Sequence, residues 1–206
     1  MEKSVGNNIE KFHKLATEKQ VRILNAAMKE FQYGYKKATT DVIVKEAGIS
    51  KGLLFHYFGK KEYLFSYLLE FTSNLLKSNL ASKLLLVKQD IIAAIHLYAT
   101  EKRKLRIDFP YVYDFISGVH AHWEDALGID ALTVFEEAMY KEYDEFYNLC
   151  DESLFRPKID TKKAIDIMLF TVDTLLELEA GEGKEEIFST ELEAYVKTFY
   201  LAFYKK

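Results

Sequence analysis

The chain is expected to be all-α, a small amino-terminal headpiece of three helices joined to a larger antiparallel helical bundle. Three observations carry that expectation. Apolar residues recur at three- and four-residue spacing along most of the 206 residues, with few strand-type alternations. There are only two prolines, Pro110 and Pro157, to interrupt helices. Residues 38–58, ATTDVIVKEAGISKGLLFHYF, read as two short helices around a tight glycine turn, the second with a cationic and aromatic outer face. That is the form of a helix-turn-helix, which lays its second helix in the DNA major groove.

Taken in order, residues 1–17 are polar until Ile9, Phe12 and Leu15, and are expected to form a frayed arm or a short leading helix. A firm helix follows over 18–33, where Ile23, Leu24, Ala27, Met28 and Phe31 form one apolar stripe. Gly34 suits its stop, because glycine accepts the left-handed conformation cheaply. Thr39 or Thr40 caps the next helix with a hydroxyl that accepts from a first-turn amide. Ile43, Val44 and Ala47 face inward, Gly48 makes the turn, and Ile49 plugs the core beneath it. Ser50 caps a helix reaching about residue 57, roughly 10 Å long and able to span a few base pairs. Leu54 and Phe58, four apart, point inward together and leave Lys51, Leu53, Phe55, His56 and Tyr57 to the outer and flanking faces. A long helix is expected over 60–79, with Leu64, Leu68, Phe71, Leu75 and Leu76 on one side. Further helices are expected over 87–105, 110–119, 129–150, 160–179 and 186–204, with Pro110 at a first helical position and Gly181 and Gly183 marking the last break.

Charge divides the chain in the same place. Residues 1–62 hold 12 Lys and Arg against 7 Asp and Glu, about +5, whereas 63–206 hold 16 against 25, about −9. A basic front on an acidic body concentrates attraction for phosphate in one region and discourages sticking elsewhere. The expected domains are therefore 1–62, an arm with a helix-turn-helix DNA-binding domain, and 63–206, a helical domain for effector binding and dimerisation. A lone cysteine, Cys150, excludes an intrachain disulfide. No apolar run approaches the roughly 18–20 residues that span a bilayer, and the first residues lack a signal-peptide core. A soluble, cytoplasmic protein is expected.

The string Phe31-x-x-Gly34-Tyr35-x-x-Ala38-Thr39-Thr40, then Ile43, then Ala47-Gly48-Ile49-Ser50-Lys51-Gly52, then His56-Tyr57-Phe58-Gly59-x-Lys61-Glu62-x-Leu64 resembles the TetR family of bacterial one-component repressors. The resemblance is close over about residues 21–69; the rest is similar only in length and helicity. It implies that Thr40 and Lys61 hold phosphates at helix N-termini, where free amides and the helix dipole favour anions. It implies that Tyr57 donates its phenol to a phosphate, and that Lys51, Gly52, Leu53, Phe55 and His56 face the groove beyond the Ser50 cap. Gly52 would let backbone come close, and Lys51 could donate to guanine or phosphate. Position 53 is commonly Thr in the family and position 55 commonly Tyr; Leu53 and Phe55 can meet thymine methyls or simply pack, but cannot hydrogen-bond. Val44 stands where alanine is common.

The same resemblance implies a homodimer paired through the last two helices, a palindromic double-stranded DNA operator, release by a small-molecule effector, and no cofactor. Ile165, Met168, Leu169, Val172, Leu175 and Leu176, with Leu192, Tyr195, Val196, Phe199 and Phe203, form the apolar stripes read as that pairing surface; closing the monomer core is their plainer reading. The body is rich in aromatic residues, which fits either a roomy pocket for a lipophilic or aromatic ligand or ordinary core. Helix position nominates Phe71, Tyr98, Tyr111, Phe115, Trp123, Phe135, Met139 and Met168 as pocket residues. Glu10-x-x-His13 is half of a di-iron signature without a second half, and His120-x-His122-Trp123-Glu124 reads as polar residues at a helix end rather than a metal corner. No nucleophile stands beside a base, and no glycine loop for phosphates is present, so no enzyme is expected. The competing reading is a helical small-molecule or lipid-binding interaction protein with a non-functional headpiece.

Overall fold

The computed structural model describes residues 2–84, 87, 90–126, 132–133, 144–178 and 185–205. Over these residues the chain is helical, with one isolated antiparallel bridge, Phe155 to Tyr204. The helices are α1 (Glu2–His13), α2 (Thr17–Phe31), α3 (Thr40–Ala47), α4 (Lys51–Phe58), α5 (Lys61–Leu84), α6 (Ile91–Asp108), α7 (Val112–Ala121), α8 (Thr161–Leu178) and α9 (Glu185–Phe203). Short 3-10 turns occupy Trp123–Ala126 and Glu152–Leu154. Of the helix expected over 129–150, residues 132–133 and 144–149 are described and helical. Phe135, Met139, Gly181 and Gly183 lie outside the described residues.

The leading segment is a helix rather than an arm. Phe12 has no exposed surface, and its ring meets those of Phe58 at 5.0 Å, Tyr67 at 5.7 Å and Tyr57 at 5.9 Å. Pro110 is not at a first helical position, because α7 begins at Val112. The Val112 amide donates to the Phe109 carbonyl (3.0 Å), which puts Pro110 second in a four-residue turn where its fixed φ is favoured.

Two compact units result, Met1–Asn74 with Asp108–Glu137, and Leu75–Ile107 with Ala138–Lys206. In the first, Phe31, Phe65 and Phe115 stack edge to face, with Phe31–Phe65 at 4.9 Å and Phe65–Phe115 at 5.9 Å. Gly118 is the contact between α7 and the end of α2: a Cβ there would lie 2.1 Å from the Gln32 carbonyl oxygen. Glycine at 118 is thus set by backbone proximity.

The second unit closes over Ile91, Ile95, Tyr98, Phe146, Met168, Val172, Phe188, Leu192 and Phe199. Asp90 ties its ends. Oδ1 accepts from the amides of Ile92 (3.1 Å) and Ala93 (3.2 Å) and from the Tyr204 hydroxyl (3.0 Å), and Oδ2 accepts from Tyr200 (2.7 Å). Burial and this carboxylate push the Tyr200 phenol up to about 12 and the Tyr204 phenol higher still.

The stripes read as a pairing surface divide differently. Ile165, Met168, Leu169, Val172, Leu175 and Leu176 of α8, with Leu192 and Phe199 of α9, are buried in the unit's own core. A second face of α8 stays outside, with Ile167, Phe170 (60 % exposed), Thr174 and Leu178 (67 %) at helical spacing. Thr171 and Thr174 bond their own helix carbonyls at 2.7 and 2.8 Å, so their hydroxyls add little polarity to that face. On α9, Ile187, Ala194, Thr198 and Leu201 are exposed in like manner. The core stripe is longer and more continuous, which is why periodicity selects it first.

Candidate nucleic-acid interface

Local rules build the α3–α4 pair. Thr39, not Thr40, caps α3: its backbone is extended, its Oγ1 accepts from the Val42 amide at 3.4 Å, and its own amide donates to Glu30 Oε1 at 2.8 Å. Thr40 is therefore the first helical residue, beside the free amides of the turn. Gly48 closes α3 at φ 62°, ψ 41°, the left-handed region that glycine enters without a Cβ clash. Ser50 Oγ accepts from the Leu53 amide at 3.2 Å and opens α4. Ile43, Ala47, Leu54 and Phe58 are buried beneath the turn. Arg22 of α2 donates Nε to the Ala47 carbonyl at 2.8 Å, pinning the end of α3 to the helix behind it.

The outer face of α4 carries Lys51, Gly52 and His56 in solvent, with Leu53 and Phe55 half-buried. Leu53 and Phe55 thus keep part of their surface available while also packing. Nothing lies within 4 Å of a Cβ built at Gly52, so the fold gives no packing reason for glycine there. Tyr57 is 6 % exposed, its ring wedged on Phe12, and its hydroxyl makes no hydrogen bond among the described residues. Lys61 begins α5 with its ammonium 4.6 Å from the centre of the Tyr35 ring. Partial burial lowers the Lys61 pKa, while the Glu30 carboxylate works the other way. Lys51 pairs with Asp41, Nζ to Oδ1 at 2.9 Å, linking the first turns of the two helices.

Thr40, Ser50, Lys51, Gly52, Leu53, Phe55, His56, Tyr57 and Lys61 all belong to one unit, on α3, on α4 with its Ser50 cap, and at the start of α5. Reading along the chain missed the supports: Arg22 on Ala47, Glu30 on Thr39, Tyr35 under Lys61, and Asp41 beside Lys51. Each joins residues 9 to 26 apart, beyond helical periodicity, although the acidic residues near caps were a usable signal.

The nominated pocket residues scatter. Phe71 lines a cavity of about 560 Å³ with Ile9, His13, Phe58, Tyr67 and Glu70, and Tyr111 lines another of about 470 Å³ beside Arg22 and Lys29. Phe115 and Met168 are fully buried, and Trp123 is exposed. Tyr98 is buried with its hydroxyl donating to Asp173 at 3.1 Å, while the Lys102 ammonium lies 4.3 Å over its ring. Among the described residues no group of three or more His, Cys, Asp or Glu could hold a metal ion, and no helix is long and apolar enough to cross a membrane.

The model of bacterial regulatory proteins of the tetR family matches residues 23–68, the segment that carries this face. Over that segment the chain is similar to the TetR family. A curated relative, the uncharacterized HTH-type transcriptional regulator YhgD of Bacillus subtilis, is 40 % identical over 52 residues, 25 % of this chain and 27 % of that protein. The chain thus aligns with about a quarter of that relative's length. Likeness of fold extends further. A TetR family transcriptional regulator from Chloroflexus aurantiacus superposes with a TM-score of 0.62 at 16 % identity, covering 96 % of this chain and 98 % of that one. PfmR, a TetR family regulator of Thermus thermophilus, gives 0.55 at 20 % identity over 86 % and 96 %.

Proposed function

We propose that this TetR-like chain is a transcriptional regulator that holds a palindromic operator as a homodimer, represses from it, and leaves it when a small lipophilic or aromatic ligand binds. The observation that carries the DNA reading is the outer face of α4. Its exposed cation, unexplained glycine and half-exposed Leu53 and Phe55 stand between the N-termini of α3 and α5, each suited to a phosphate. Thr40 and Lys61 take those phosphates, Tyr57 a third through its unengaged hydroxyl, and α4 behind its Ser50 cap enters the groove. The domain roles divide at about residue 62, DNA before it and effector and pairing after it.

Pairing is supported by the exposed faces of α8 and α9. Ile167, Phe170, Thr174 and Leu178 would meet their two-fold mates together with Ile187, Ala194, Thr198 and Leu201, a self-complementary surface of the kind two-fold symmetry requires. Two recognition helices would then read half-sites about 34–36 Å apart. The ligand part rests on the family resemblance and on the aromatic residues nominated above, and cytoplasmic location follows from a DNA target.

Selection from a pool of random duplexes at low salt tests the proposal. Recovery of an inverted repeat bound by two protomers is expected. A chain that retains no duplex in dilute buffer fits the competing reading instead, a ligand-binding helical protein whose headpiece contacts no DNA.

A further inference from the structure

Three lysines in and around the proposed DNA-binding unit are already paired with carboxylates. Lys29 pairs with Glu46 at 3.0 Å, Lys60 with Glu62 at 2.7 Å, and Lys51 with Asp41 at 2.9 Å. The first two pairs lie at the flanks. The third is different, because it joins the first turn of α3 to the first residue of the recognition helix. Both side chains are open to solvent, 50 % exposed for Lys51 and 74 % for Asp41, so burial does not account for the pair. Asp41 also sits in a helix's first turn, where free amides and the dipole hold a carboxylate in place. Thr39 already accepts from the Val42 amide, so Asp41 is not the side-chain cap of α3.

A carboxylate on a DNA face repels every phosphate, so Asp41 lowers affinity for duplex in general. It is compatible with DNA only where a donor meets it. In the major groove that donor is the cytosine amino group, or the adenine one, and the lysine beside it needs an acceptor. A G·C pair offers both side by side, guanine N7 and O6 as acceptors and cytosine N4 as donor, whereas an A·T pair gives lysine a single purine N7 next to a competing amino group. An adjacent ammonium and carboxylate therefore match the edge of one G·C pair.

We propose that the Lys51–Asp41 pair reads a G·C base pair in each half-site, Lys51 donating to guanine and Asp41 accepting from cytosine N4. This rests on the DNA-binding reading given above. Asp41 is then a specificity-determining residue: it sacrifices general affinity and returns it only at the correct base pair. The pair's own contribution to folding is small at this exposure.

The test compares the full-length chain with Asp41→Ala and Lys51→Ala, by selection from random duplexes and by anisotropy titration against a non-selected duplex across a salt series. The wild-type chain is expected to fix one G·C position in each half-site, with about five- to tenfold loss on changing it to A·T. Both variants should relax that same position to about twofold or less. On the non-selected duplex their effects should be opposite: Asp41→Ala tighter by about two- to fivefold with a steeper salt slope, Lys51→Ala weaker with a shallower one. If either variant keeps the G·C position, or if Asp41→Ala binds non-selected duplex no better than wild type, the inference is overturned. Failure of the wild-type chain to bind any duplex would instead sink the DNA-binding reading itself. Circular dichroism melts of both variants, expected within a few degrees of wild type, separate these outcomes from misfolding.

Discussion

Gly52 offers a test in which folding and binding should move in opposite directions. It is the second residue of α4, its backbone is not in the left-handed region, and a Cβ built on it meets nothing within 4 Å. Alanine there introduces no clash in the free protein and removes conformational freedom from the unfolded chain. A Gly→Ala change at a compatible helical position stabilises by about 0.4–1 kcal/mol. For a chain of this length that corresponds to a rise in Tm of roughly 1–4 °C. If α4 enters the groove as proposed, the added methyl would occupy space that the groove needs. Overlap of one methyl in a close-packed contact costs about 1–3 kcal/mol, and at 1.4 kcal/mol per factor of ten that is a loss of roughly 5- to 100-fold. Calorimetry supplies the first quantity and anisotropy at fixed salt on a selected operator the second. A stabilised variant that binds the operator as wild type does would refute the placement of α4 in the groove. A destabilised variant would refute the open surroundings described for Gly52.

Four further outcomes are expected. Lys61→Ala should weaken binding to all duplexes alike and flatten the logarithmic salt slope by about one unit, read from anisotropy at four or more salt concentrations. Phe170→Glu should place a charge in the exposed apolar face of α8 and shift sedimentation velocity from dimer toward monomer while the far-ultraviolet spectrum stays helical. Gly118→Ala should lower Tm by several degrees, since its Cβ would lie 2.1 Å from the Gln32 carbonyl oxygen and α7 must withdraw from α2. The Tyr200 and Tyr204 phenols, raised by burial and Asp90, are protonated in the folded chain beyond pH 10, where the unfolded chain has lost those protons. Their contribution is therefore complete below about pH 10 and falls as pH rises through the folded values. Chemical denaturation at pH 9, 10 and 11 should show this loss, and Tyr204→Phe should flatten it.

Local chemistry explains what could be read from the chain alone. The glycines at 34 and 48, the hydroxyl caps and the three- and four-residue stripes each act within a helical turn or two, so α2 to α5 are legible to within a few residues. Tyr57 shows the limit. Its position on α4 marks it as a flanking residue, but its exposure depends on Phe12, 45 positions earlier, which no periodicity relates to it. Gly118 is similar, because its requirement comes from Gln32 on another helix. The α8 stripe reads two ways for a different reason: the helix is apolar on two faces, and spacing alone cannot say which of them the protomer's own core covers. Asp41 was not singled out along the chain, because its partnership with Lys51 depends on how Gly48 folds one helix across the other.

The uncovered face of α8 also bears on dosage. If each operator needs two molecules joined along Phe170 and Leu178, then in scarce supply the joined form grows as the square of the amount synthesised. Halving production would leave about a quarter of the active species, and switching would be sharper than one molecule per gene allows.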